Sequence, residues 1–186
     1  ALRKDRAVVF GDLVQGQLRE LAMDRALFSV AFRPKEPAED GADQVEFYFS
    51  ANAGEPARPL SKIASGGEIS RVMLAIKTAL AGRAGVPTLI FDEVDAGLSG
   101  RAASTVAAKL EELARHYQIV VITHLPQIAS RADTHYRIEK VEQQGRVITR
   151  VRPLSQIERE EEVARMLAGE RVTDTALANA REMLAR

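Results

Sequence analysis

The chain has 186 residues and a formal net charge of zero, with 26 Lys and Arg against 26 Asp and Glu. That length suffices for one domain with a proper core, and the balanced charge argues against a fold whose main work is gripping nucleic-acid phosphates through a strong basic field. The absence of Cys excludes disulfides, thiolate zinc sites and Cys nucleophiles, and no apolar run approaches the roughly 18 residues of a membrane span.

No signal peptide is visible, a reducing compartment suits the composition, and a first residue of Ala rather than Met leads us to expect a piece of something longer. From Leu2 to about Met23 the chain is charged and helix-compatible, with apolar residues at Val9, Leu13, Leu18 and Leu21 in a loose period, as at the end of a long helix entering a domain. Leu27–Phe32 and Val45–Phe49 alternate and are β-rich, so they predict a hairpin or paired edge strands. Pro34–Asp43 between them is a Pro/Glu/Asp/Gly loop, and Asn52–Pro59 a second polar loop. Ser65–Gly82 predicts a helix with Ile69, Val72, Met73, Ile76 and Leu80 on one face.

Thr88–Phe91 and Ile119–Ile122 are short, wholly apolar strands, and Arg101–Arg115 between them is a helix with Ala103, Val106, Ala107 and Leu110 inward. Strand, helix and strand make a βαβ unit, so the strands should be parallel and buried on both faces. Tyr136–Val141 and Arg146–Val151 predict a hairpin around Gln143-Gln144-Gly145. Ser155 and Glu158 fit a capping box opening a helix to about Leu167, and Thr173–Ala185 is a last helix.

The chemistry concentrates at four places. Asp92 and Glu93 directly follow the first apolar strand, at the carboxyl end where open α/β sheets bind ligands. An apolar strand ending in Asp is a Walker B pattern; the Asp suits Mg²⁺, and the following Glu suits taking a proton from an attacking water. The plainer alternative is a turn cap before the next helix. His124 ends the second strand, Val121-Ile122-Thr123-His124, so a parallel neighbour brings it to the same sheet edge, where an imidazole can donate to a terminal phosphate or hold the water. A lone loop His is otherwise surface filler, which is how His116 and His135 read.

Ser65-Gly66-Gly67-Glu68 opens the strongest helix. Ser65 and Glu68 fit a capping box, but two glycines in a first turn weaken a helix by about 1 kcal/mol each, so something must approach closely; bare N–H groups there make an anion site. Asp95-Ala96-Gly97-Leu98-Ser99-Gly100 is a Gly-rich turn which alone reads as a loop. A P-loop is missing: Gly11 and Gly16 have its glycine spacing, but Gln17 and Leu18 stand where Lys and Ser/Thr are required, in a helix-like stretch.

In order and spacing these pieces resemble the C-terminal half of an ABC-type ATPase head. Ser65–Glu68 is similar to the signature motif, Leu89–Glu93 to Walker B with its Glu, Asp95–Gly100 to the D-loop and His124 to the switch histidine. Ile63–Thr78, Leu89–Ala102, Val121–Asp133 and Ala164–Ala185 resemble the RecN family of bacterial SMC-like ATPases in particular. The resemblance implies an α/β fold, the C-terminal lobe of an ABC/SMC-type P-loop ATPase head: a parallel-sheet core flanked by helices, with edge β-hairpins and a coiled-coil stub. Residues 1–23 would end a coiled-coil arm and 24–186 would form the lobe. It implies ATP and Mg²⁺ as ligands, with Asp92 on the metal and Glu93 and His124 catalytic. Ser65, Gly66, Gly67 and Glu68 would close over ATP on a second head, and Asp95, Gly97, Ser99 and Gly100 would lie at that dimer interface. The implied partners are an N-terminal lobe of the same protein carrying the P-loop, a second copy of the head, and DNA in double-strand-break repair. The implied location is cytoplasmic and nucleoid-associated, without a membrane. On this reading the fragment alone is inactive. The rival readings are half of an ABC transporter's nucleotide-binding subunit and a non-hydrolysing interaction module.

Overall fold

The computed structural model describes residues 2–82, 85–143, 145–169 and 171–185. The chain forms two compact units, residues 1–122 and 123–186.

The first unit opens with helix α1 (Leu2–Glu20), which buries Val14 and Leu18 and carries the Gly11–Gly16 spacing inside regular helix. Gln15 ties it to the next strand: its side-chain amide donates to Ala26 O at 2.6 Å and accepts from Phe28 N at 2.9 Å. Strands β1 (Leu27–Ala38) and β2 (Gly41–Ser50) pair antiparallel, with the short β3 (Arg58–Pro59) beside β2. Phe10, Phe28 and Phe47 stack with ring centroids 5.5–6.1 Å apart at the junction of α1 and the sheet. The loop expected over Pro34–Asp43 is instead mostly strand. Pro34 and Pro37 are tolerated because, among the described residues, β1 is an edge strand paired only with β2, and the register shifts between Pro34 and Ala38.

Helix α2 (Gly66–Ala79) follows a single turn of 3₁₀ helix (Leu60–Lys62). It buries Gly67, Arg71, Val72, Leu74, Ala75 and Ile76, while Ile69 and Met73 are only half-buried. Strand β4 (Thr88–Phe91), helix α3 (Gly100–Ala114) and strand β5 (Gln118–Val121) form the expected βαβ unit. The two strands are hydrogen-bonded and parallel, with Thr88 opposite Gln118 and Phe91 opposite Val121. Ala103, Val106, Ala107 and Leu110 of α3 are all buried, as the period required.

The expectation of burial on both faces fails. Leu89 and Phe91 are buried, but Ile90 is 70% exposed, Val120 43% and Ile122 46%. Among the described residues this sheet has only two strands, and its outward face carries apolar side chains with nothing upon them.

In the second unit, the one-turn helix α4 (Pro126–Ala129) leads to the hairpin of β6 (Tyr136–Gln143) and β7 (Arg146–Pro153). Its expected turn includes Gln144, which lies outside the described residues. Helix α5 (Gln156–Ala168) packs on α6 (Asp174–Leu184) through Val163, Ala164, Ala176 and Ala180. Ser155 and Glu158 form the complete capping box. The bond from Ser155 N, followed by the Arg152 side chain, pulls the Glu158 carboxyl down to about 2.

His135 is not the solvated residue expected. It is half-buried, and its Nδ1 is enclosed without a hydrogen-bond partner. Burial and then the Arg159 cation hold its pKa below 6.5, while Glu162 opposes them. Arg159 is fixed there by donating to Ala132 O at 2.6 Å, and Glu162 is clasped by Arg165 and by Arg137 at 3.4 Å. The charged form is therefore disfavoured on folding. The neutral imidazole costs nothing above the ordinary value, 6.5, and stability falls as pH drops below it towards the lower folded value. Glu158 and Glu162, both depressed from 4.5, act only at lower pH. Urea midpoints measured between about pH 6.5 and pH 5 should decline, and His135→Gln should flatten that decline.

Candidate functional site

The carboxyl ends of β4 and β5 form one rim. Ile122 N donates to Phe91 O at 3.0 Å, which prolongs the parallel ladder to the residue before Asp92. Asp92 and Glu93 are both exposed there. Glu93 takes the left-handed conformation, φ 57°, one of two described non-glycine residues to do so. That conformation costs an L-residue roughly 1–2 kcal/mol, and such strain gathers where side-chain direction matters. A tight turn follows, with Ala96 N bonded to Glu93 O and Leu98 N to Asp95 O, each at 3.0 Å. Val94 and Asp95 are buried, while Gly97, Ser99 and Gly100 are exposed and lead into α3, with Ser99 at its N-cap.

The start of α2 sits on this turn. Ser65 is the N-cap, and its hydroxyl accepts from Glu68 N at 3.4 Å, which is the forward half of the expected capping box. Gly67 is explained by the chain's own approach: a Cβ there would lie 2.7 Å from Ala96 Cβ and 3.1 Å from Glu93 O, whereas one on Gly66 would meet only the Glu93 side chain, whose carboxylate end can swing aside. Ser70 Oγ donates to Asp92 O at 2.5 Å, and Arg71 Nη1 to Ala96 O at 2.9 Å and Val94 O at 3.4 Å. Burial lowers the Arg71 pKa from its ordinary value, which the Glu68 charge partly offsets.

Thus Ser65–Glu68, Asp92 and Glu93 meet at one place. His124, the third residue beyond β5, belongs to the second unit and is exposed. Ser70 and Arg71 were not singled out from the sequence. The available signal was a cation on the buried stripe, four residues after Gly67 and one before Val72.

Among the described residues no three His, Asp or Glu side chains cluster tightly enough to cage a metal. A lone exposed carboxylate fits Mg²⁺ all the same, because that ion keeps several waters and shares its shell with phosphate oxygens. Asp92 could supply one such ligand. No described helix is long and apolar enough to cross a membrane.

Residues 12–147 match the family model described as the RecF/RecN/SMC N terminal domain. The chain is 47% identical to the DNA repair protein RecN of Halalkalibacterium halodurans, over 98% of this chain and 33% of that protein. It is 48% identical to RecN of Deinococcus radiodurans, over 100% of this chain and 32% of that protein. The chain therefore spans about a third of the length of the curated relatives it matches. Among solved structures it is similar to the Smc head domain with a coiled coil and joint from Pyrococcus yayanosii, with a TM-score of 0.60 and 24% identity over 89% of this chain and 29% of that one. It is also similar to the Smc head domain from Pyrococcus furiosus bound to the C-terminal domain of ScpA, with a TM-score of 0.57 and 22% identity over 89% of this chain and 39% of that one. The fold is that of part of an SMC head domain.

Proposed function

The chain belongs to the RecF/RecN/SMC family, and from that premise we propose that it is the C-terminal lobe of a RecN-like ATPase head acting in DNA double-strand-break repair. The observation that carries the proposal is the junction of an acidic pair at the carboxyl end of parallel β4 with the glycine-opened start of α2. The order of the motifs supports the C-terminal position.

In this reading Glu93 accepts a proton from the attacking water at its carboxylate, and Asp92 would hold Mg²⁺. The ion, when bound, neutralises charge on the phosphate oxygens. His124 leaves the strand adjacent to β4 and contributes a donor to the γ-phosphate. Ser65 keeps a free hydroxyl proton while its oxygen accepts from Glu68 N, so it can donate to a phosphate on a second head, beside the N–H groups of Gly66 and Gly67. The exposed Gly97, Ser99 and Gly100 face that second head, and Asp95, buried in the same turn, precedes them. Two identical heads then meet in an isologous pair.

Two features support further chain around this lobe. Parallel sheets are covered on both faces, yet Ile90 and Val120 stand open, which suits an N-terminal lobe bearing the P-loop. Leu2, Val9 and Leu13 form an exposed stripe along α1, which suits the other arm of a coiled coil ending near residue 23. DNA is the partner of the whole protein, in the cytoplasm at the nucleoid.

The lobe produced alone should show no ATP hydrolysis, and mixing it with the separately produced N-terminal lobe should restore turnover and ATP-dependent dimers in light scattering. Hydrolysis by the isolated lobe, or a mixed complex that neither hydrolyses ATP nor dimerises with it, would refute the assignment.

A further inference from the structure

Arg71 is out of place for a stability element. It is 9% exposed, its fork donates only to main-chain carbonyls, and its Nε is buried without a partner. Glu68 offsets only part of the cost of burying the cation, and an apolar residue of similar length would pack there at no such cost. What the guanidinium does is grip the acidic turn. It holds the carbonyls of Val94 and Ala96, one turn of α2 away from where Gly67 abuts Glu93 O, while its neighbour Ser70 holds the carbonyl of Asp92. Alternate main-chain carbonyls from 92 to 96 are thus fastened to the first two turns of one helix.

We propose that Arg71 and Ser70 are positioning residues that clamp the main chain of residues 92–96 to the start of α2, so that the Glu93 carboxylate and the Ser65–Gly67 segment move as one rigid piece. Neither side chain touches the reacting atoms; both act through the backbone of the turn. Closure of the helix start on a nucleotide is then transmitted to the carboxylate, and a turn released from the clamp leaves Glu93, in its left-handed backbone, free to relax away from its working direction. This inference rests on the reading of Glu93 as the base, but the clamp itself can be tested without that reading.

The test uses the full-length protein, with Arg71→Met, Arg71→Lys and Ser70→Ala. Hydrogen exchange of the Ala96 and Leu98 amides, whose acceptors are Glu93 O and Asp95 O, reads the clamp directly. Arg71→Met should speed exchange at these two amides about 10-fold while the amides of α3 keep the parent rate, since exchange reports local opening. Its kcat should fall about 10-fold or more with KM within about two-fold, because misdirection of a catalytic group by an ångström suffices for such a loss. Arg71→Lys keeps one donor and should recover part of both effects; Ser70→Ala should give smaller changes of the same kind. Unchanged exchange at Ala96 and Leu98 overturns the clamp. So does exchange that rises equally throughout α2 and α3, since that is general destabilisation. A raised KM at constant kcat overturns the transmission to Glu93. Failure of the base assignment shows elsewhere, as undiminished turnover when Glu93 itself becomes Gln.

Discussion

Glu93→Gln in the full-length protein should lower ATP turnover by about 100-fold or more and leave ATP-bound head dimers that no longer dissociate. The size follows from the role: positioned general bases contribute about 10²–10⁴-fold. The amide matches the carboxylate in shape and can still accept a hydrogen bond from water, but it cannot keep a proton. The substituted residue occupies the same left-handed position, φ 57°, with the same branched terminus beside Gly66, so the turn should survive. Single-turnover hydrolysis separates chemistry from nucleotide binding, and size-exclusion chromatography with ATP reports the dimers. Undiminished single-turnover hydrolysis would mean that the proton goes elsewhere.

Gly67→Ala should destabilise the protein, although Ala is the better helix former. In a helix with free space, that exchange stabilises by up to about 1 kcal/mol. Here the new methyl would meet Ala96 Cβ at 2.7 Å and Glu93 O at 3.1 Å. Overpacking of this kind typically costs about 1–3 kcal/mol, so the overpacking outweighs the propensity and the sign of the change is diagnostic. Because the nearest obstacle is itself a methyl, Ala96→Gly in the same chain should return a good part of the loss, while the carbonyl of Glu93 and Arg71 Nη1, at 3.3 Å, keep the rest. Urea denaturation of the four members of this double-mutant cycle gives the coupling between the positions. Turnover of Gly67→Ala should drop with its stability, since the displaced atoms belong to Glu93 and to the loop after it. A gain in stability on Gly67→Ala would show that the helix start does not rest on the acidic turn.

Much of the first unit was legible because its signals are periodic. The inward residues of α3 follow from a 3.6-residue repeat, and the pairing of β4 with β5 follows from two apolar tetrads joined by a helix. The segment from Pro34 to Asp43 was misread for a local reason. Prolines and acidic residues mark loops on average, but an edge strand tolerates them, and edge position is set by pairing rather than by composition. The open face of β4 and β5 could not be foreseen either, since Ile90 and Val120 are as apolar as any buried residue. At the site, the glycines were read as a demand for close approach by a ligand; at Gly67 the fixed atoms that approach belong to Glu93 and Ala96 of the same chain, 26 and 29 positions distant. His135 was misjudged because a single imidazole carries no periodic signature; its enclosure depends on Arg159 and Glu162, which arrive from a later helix.

The backbone of Glu93 has an evolutionary corollary. Glycine or asparagine would sit there with less strain, so a screen that rewards heat tolerance alone should drift towards them and collect sturdier but inert proteins. Retaining an acid at that position is therefore a mark of continued selection for turnover, and libraries built to harden this protein should hold residue 93 fixed.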